Sequence, residues 1–172
     1  MSQEQFYCGV DPGKNGAIIV LDSKSRITSK YTIPLIKSTK TKNEYNMPEL
    51  LNIIKKIPRP VMAFVEKAQA LPVKFGGGIA NFQRGYSLAL YEAMLVSEGI
   101  SYRLILPRQW QKKMFNGVNA TDTKAASLIV AKRQWPQENW KKNERCEKDH
   151  DGFSDACLLA LYGMIEFGTN LN

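Results

Sequence analysis

The sequence is poor in several features that would each define a class of protein. It holds three cysteines and one histidine in 172 residues. So few thiols, odd in number, do not make a disulfide scaffold. Cys8 and Cys157 sit within apolar runs as small core residues, which fits a reducing compartment and a cytoplasmic chain. Cys146 and His150 have the spacing of half a zinc site, but no second Cys/His pair stands elsewhere to complete it. No run approaches the roughly 18 apolar residues of a membrane span. The opening MSQEQFYCGVDPG lacks the basic and then apolar order of a secretory leader, so none is expected. Neither an internal repeat nor a low-complexity tract is visible. Acid is also in short supply, with 16 Asp and Glu against 24 Lys and Arg and a formal charge of +8.

What is present fits an ordinary folded chain. Apolar residues make up 44%, which argues against intrinsic disorder. The length suits one compact domain over residues 1–172 and is too short for a two-lobed kinase or a TIM barrel. The basic excess suggests a polyanionic partner, most simply nucleic acid. Its placement sharpens that reading. Arg103, Arg108, Lys112, Lys113, Lys124, Lys132, Arg133, Lys141, Lys142, Arg145 and Lys148 are interleaved with Trp110, Phe115, Trp135 and Trp140.

Residues 5–11 alternate as a strand, with Phe6, Cys8 and Val10 on one face and Tyr7, Gly9 and Asp11 on the other. The turn 12–16 leads to a second strand from Ala17 to Leu21, and a third runs from Arg26 to Ile33. Residues 37–46 read as a polar, lysine-rich loop. Helical spacing spans Met47 to Ile57, ended by Pro58-Arg59-Pro60. Val61 to Glu66 is continuously apolar until its last residue, as in a strand buried on both faces. After Gly76-Gly77-Gly78 come a long helix (79–98), a strand (101–106), a short helix from Pro107 to Phe115 and a helix over 123–134 capped by Thr121-Asp122. A polar connector (136–148) precedes a last helix from near His150 to Phe167. This order predicts an α/β fold: a mixed five-stranded sheet flanked by helices, as in ribonuclease-H-like proteins.

Three acids stand where that pattern would otherwise place apolar residues. Asp11 ends the first strand, Glu66 ends the buried strand, and Asp155 shares a helix face with Leu158, Leu159 and Tyr162. Asp151 lies one turn before Asp155. A buried, unpaired carboxylate is costly, and close carboxylates raise one another's pKa. A divalent cation relieves both penalties, and all-oxygen ligands suit Mg²⁺ or Mn²⁺. Two such ions per site can activate water and stabilise the leaving oxygen of a phosphodiester. Singly, the acids have simpler explanations: a turn at Asp11, surface pairing of Glu66, a buried ion pair for Asp155, and helix-start charges at Asp149 and Asp151.

The same residues resemble a known family. Val10-Asp11-Pro12-Gly13 with Gly16, Phe64-Val65-Glu66-Lys67, Phe82-Gln83-Arg84-Gly85, Leu106 to Lys113 followed by Thr123-Lys124, and Asp151 to Ala156 stand in the order of RuvC-type Holliday-junction resolvases, particularly short phage-type members. The resemblance spans about residues 6–165. It implies a homodimeric, Mg²⁺- or Mn²⁺-dependent endonuclease of branched DNA, in a bacterial or phage-infected cell. It makes Asp11, Glu66, Asp151 and Asp155 metal-binding and catalytic, with Lys124 at the phosphate. It places Lys14, Lys67, Phe75, Arg84, Lys112 and Lys113 against DNA. Gly152 stands where cellular members carry Asp or His, leaving Asp151 or His150 as the fourth ligand. Lys67-Ala68-Gln69-Ala70 lacks the bulky aromatic thought to enter the junction, for which Phe75 is a substitute. A flap, fork or hybrid nuclease, a catalytically inactive junction binder, and an actin-like ATP-binding protein built on Asp11-x-Gly13-x-x-Gly16 remain alternatives.

Overall fold

The computed structural model describes residues 4–38, 43–72, 74 and 77–168. Five strands, β1 (Phe6–Asp11), β2 (Ala17–Leu21), β3 (Ile27–Thr32), β6 (Val61–Glu66) and β7 (Ser101–Ile105), form one sheet in the order β3-β2-β1-β6-β7. The first three are an antiparallel meander, while β6 and β7 join parallel to β1. The mixed sheet read from the sequence is therefore the observed one. Residues 37–46 are not all loop, however. A second, two-stranded sheet pairs β4 (Leu35–Lys37) with β5 (Asn43–Tyr45), setting Leu35 opposite Tyr45. Three-residue strands are too short to show alternation, and Tyr45 is buried among residues distant in sequence.

Alternation along the strands divides the core in two. Cys8, Val10, Ala63 and Val65 face α1 (Met47–Lys56) and α2 (Gly77–Ser97), where Leu50, Ile54, Tyr91 and Leu95 are buried. Tyr7, Ile19, Met62 and Phe64 face the opposite way, onto α5 (Asp151–Phe167). By the same period of two, Asp11 and Glu66 belong to the α5 side. The register sets Val10 opposite Val65, so the next rung places Asp11 beside Glu66.

The helix α5 is apolar almost all round, and from Gly152 to Gly163 it is covered by the sheet, α3 (Pro107–Met114) and α4 (Thr123–Gln134). Its seat depends on an absent side chain. A Cβ at Gly9 would stand 1.9 Å from the Ala156 carbonyl oxygen. Helix and strand therefore meet backbone to backbone, which brings the first turns of α5 down to the ends of β1 and β6. The helix α2 begins at Gly77, two residues before the apolar spacing starts, and the Asn81 side chain clasps both the N–H and the carbonyl of Leu71 at 2.9 Å.

Candidate active site

Asp11 leaves the end of β1 into a tight turn. Its Oδ1 accepts the Gly13 N–H at 3.3 Å, and Gly16 N–H closes the turn on the Gly13 carbonyl at 2.8 Å. Burial raises the Asp11 pKa to about 7, and the charge of Glu66 adds to the rise. The Gly13 N–H and the charge of Lys124 act the other way without offsetting it. Glu66 is raised by burial and by Asp155, while Trp110, fully buried on α3, donates its Nε1–H to Glu66 Oε2 at 2.9 Å. Asp155 is pushed up to about 6 by burial, with Asp11 and Asp151 adding to the rise. The fully buried Ser127 hydroxyl stands beside Asp155 and favours its charged form, without reaching ordinary hydrogen-bond geometry. Asp11, Glu66 and Asp155 thus feel one another's charge from positions 11, 66 and 155.

Asp151 joins at the rim. Its exposed carboxylate accepts from Lys124 Nζ at 2.8 Å, which raises the Lys124 pKa. These two residues, read separately as a ligand and a phosphate contact, are each other's partner in this structure. Position 152 has no room for a ligand, because a Cβ there would lie 2.6 Å from the Asn15 carbonyl oxygen. His150 packs against Phe153 with ring centroids 4.6 Å apart, and burial lowers its pKa. Of the two candidates for a fourth ligand, Asp151 is the one that acts on Asp155. Among the described residues, no three Asp, Glu, His or Cys side chains form a ready-made metal cage. Asp11, Glu66 and Asp155 form an open cluster of raised pKa.

A groove of about 1260 Å³ opens from this cluster. Asp11 and Glu66 stand in its wall, with Lys14, Lys67, Arg84 and the exposed Ile79 and Phe82 of α2 along it. Lys14 donates to the Asn43 carbonyl at 2.5 Å. Lys113 lies elsewhere, paired with Glu166, eleven residues past Asp155 and so about 16 Å further along α5. Lys112 is exposed on the same helix turn. Phe75, with Lys40 and Lys42, lies outside the described residues.

Trp110, Ser127, Tyr45 and Ser87 were not legible as site residues. Trp110, three positions into a helix opened by Pro107, could have been placed against the sheet end. Ser127 carries a recoverable signal, one turn after Lys124 on the same face. Tyr45 and Ser87 carry none.

No helix among the described residues is long and apolar enough to cross a membrane. No protein-family model matches the sequence, and no curated protein matches it. Solved structures do share its fold. RuvC of T. thermophilus in complex with Holliday junction substrate is 12% identical, with a TM-score of 0.62 over 97% of this chain and 96% of that one. A second Thermus thermophilus RuvC structure is 16% identical, with a TM-score of 0.55 over 95% of this chain and 97% of that one. The ribonuclease-H-like fold in its RuvC form is thereby shown along nearly the whole chain.

Proposed function

We propose that this chain is a metal-dependent endonuclease that cuts branched DNA, four-way junctions foremost, and that it works as a homodimer. One observation carries the reading: Asp11, Glu66 and Asp155, contributed by two adjacent strand ends and a helix, raise one another's pKa, and Asp11 and Glu66 stand in the wall of a groove that also carries Lys14, Lys67 and Arg84. The RuvC fold supports it, since one of the structures sharing it was solved with a Holliday junction.

The donor set suits a hard divalent cation. Every candidate ligand is a carboxylate oxygen, and buried carboxylates that repel are the groups an added positive charge stabilises most. Asp11, Glu66, Asp155 and Asp151 would hold Mg²⁺ or Mn²⁺, two ions per site. Bound there, the cations supply a water of lowered pKa and neutralise charge on the phosphate. The protein's own groups do the rest. Asp11 and Glu66, side by side at the ends of adjacent strands, fix the spacing of the donors. Trp110 orients Glu66 by its hydrogen bond. With Asp151 holding a cation, Lys124 would be free of its present partner and able to hold a phosphate oxygen as a point charge. Lys14, Lys67 and Arg84 track the backbone without reading sequence. The exposed apolar stripe of α2, Ile79 and Phe82, is the surface a second copy would cover. A twofold-symmetric junction needs such a pair of sites.

Substrates of matched length at equal salt test the reading: a four-way junction, a flap, a fork and an RNA–DNA hybrid, each with Mg²⁺ or Mn²⁺ and with chelator. Metal-dependent paired cuts in the junction are expected. Failure to cut any of them would exclude a nuclease, and preference for the hybrid or flap would reassign the substrate within the same fold.

Trp110→Phe keeps a ring in the core and removes the Glu66 hydrogen bond. The expected loss is about 1–3 kcal/mol of stability and about tenfold in single-turnover cleavage. An unchanged rate in a folded variant shows that Glu66 needs no such holding.

A further inference from the structure

Behind the Asp11 turn lies a polar network that the proposed chemistry does not use. Tyr45, at the end of β5, is 5% exposed, and its hydroxyl is donor or acceptor in two contacts that lead to separate parts of the fold. It lies 3.1 Å from the Pro12 carbonyl and 2.6 Å from Ser87 Oγ on α2. Ser87 Oγ in turn donates to the Gln83 carbonyl at 2.8 Å, one turn back along the helix. Either Ser87 gives its proton to Tyr45 and Tyr45 gives its own to the Pro12 carbonyl, or Ser87 keeps its bond to Gln83 and Tyr45 divides its proton; in both arrangements the Tyr45 hydroxyl joins the turn to the helix. Tyr91, one turn beyond Ser87, presses a second buried hydroxyl toward the same region, without a hydrogen-bond partner among the described residues.

The position of the network matters more than its strength. Pro12 follows Asp11, and the turn it opens supplies the Gly13 N–H that Asp11 accepts. Tyr45 thereby ties three elements together: the turn that aims Asp11, the helix α2, and the β4–β5 sheet. The same β4–β5 sheet is held to the turn from outside by Lys14, whose Nζ donates to the Asn43 carbonyl and lies 5.8 Å from the centre of the Tyr45 ring. Tyr45, Ser87, Lys14 and Asn43 all stand in the wall of the groove that Asp11 heads.

We infer that Tyr45, with Ser87, is a positioning residue for Asp11: the brace holds the 11–16 turn, and thus the carboxylate, in the geometry needed to grip a divalent cation. It rests on the reading of Asp11 as a metal ligand. Tyr45 touches neither cation nor DNA in this scheme and acts through the backbone of the turn.

Tyr45→Phe and Ser87→Ala, alone and together, in the full chain, test this. Phenylalanine keeps the ring in its place, and alanine is favourable in a helix, so both should fold. Three quantities are measured: junction affinity in chelator, single-turnover cleavage against Mn²⁺ concentration, and the shift in melting temperature that Mn²⁺ produces without DNA. Expected are unchanged affinity, cleavage reduced about tenfold at limiting Mn²⁺ and partly restored at high Mn²⁺, and a smaller Mn²⁺-induced melting shift. The double variant should lose little more than either single one, since the two act as a unit. A lower melting temperature with the Mn²⁺ dependence of cleavage and of melting both unchanged would make the network merely structural and overturn the inference. If the wild type itself shows neither metal-dependent cleavage nor a Mn²⁺ shift, the nuclease reading falls, and the brace with it.

Discussion

Asp11→Asn and Asp155→Asn are expected to cut a four-way junction at least about 10³-fold more slowly than the wild type, while binding it within about threefold. Each substitution keeps the size of the side chain and removes one negative charge from the cluster. Neither substitution removes a cation from the groove, where Lys14, Lys67 and Arg84 stand, so the sequence-independent part of affinity should survive. The two losses should not multiply, because acids that serve one site fail together. Cleavage in Mg²⁺ or Mn²⁺ against time, beside a mobility shift in chelator, separates the two quantities. Variants that cut like the wild type remove these carboxylates from the chemistry, and variants that lose binding in proportion to cutting give them a structural role.

The same acids should make the native state less stable as pH rises, and the sign is fixed by their shifts. Asp11 and Asp155 have pKa near 7 and 6 when folded, against an ordinary value of 3.8. Between those values the folded chain keeps protons that the unfolded chain has released. Their contribution to stability is therefore greatest at or below the unfolded pKa, falls as pH rises from about 4 to 7, and then levels off. Asp11→Asn removes one such group. At about 1.4 kcal/mol per pKa unit, the rise of about three units caps the gain at about 4 kcal/mol. Since Asn also buries a polar amide, about 2 kcal/mol is expected at pH 8, several degrees in melting temperature, shrinking toward pH 5. Mg²⁺ should narrow the difference by stabilising the wild type more than the variant. Thermal melts of both proteins at pH 5 and 8, in chelator and in Mg²⁺, measure this. A variant no more stable than the wild type at pH 8 would show that the acids carry no burden of repulsion. Asp22 works in the opposite sense. Burial would raise its pKa, but Arg26 and Lys24 N–H groups and the Arg26 guanidinium hold it below the usual range, so its support is lost as pH falls below about 4.

Much of this site could be read from spacing alone, because Asp11 and Asp155 break regular patterns. The period of two in residues 5–11 put Asp11 on the face opposite Val10, and the structure has it there. Asp155 shares its helix face with Leu158, Leu159 and Tyr162, all of them buried on the sheet side. For Glu66 the strand is apolar on both faces and shows no alternation, so only its register with β1 reveals which way it points. What the chain order hides is lateral contact. Nothing near Asn43–Tyr45 announces a strand, and nothing links Tyr45 to Ser87 across 42 residues. The pairings Lys124–Asp151 and Lys113–Glu166 likewise depend on how α3 and α4 lie on α5. Two lysines that look equivalent in a basic segment end up at opposite ends of one helix.

The backbone-to-backbone seating of α5 on β1 at Gly9 has a temporal consequence. Every residue of the five-stranded sheet has been made once residue 105 is added during synthesis, yet Asp155 arrives some fifty residues later. A chain stopped before α5 would carry only Asp11 and Glu66 of the three central carboxylates and would leave that face of the sheet without its cover.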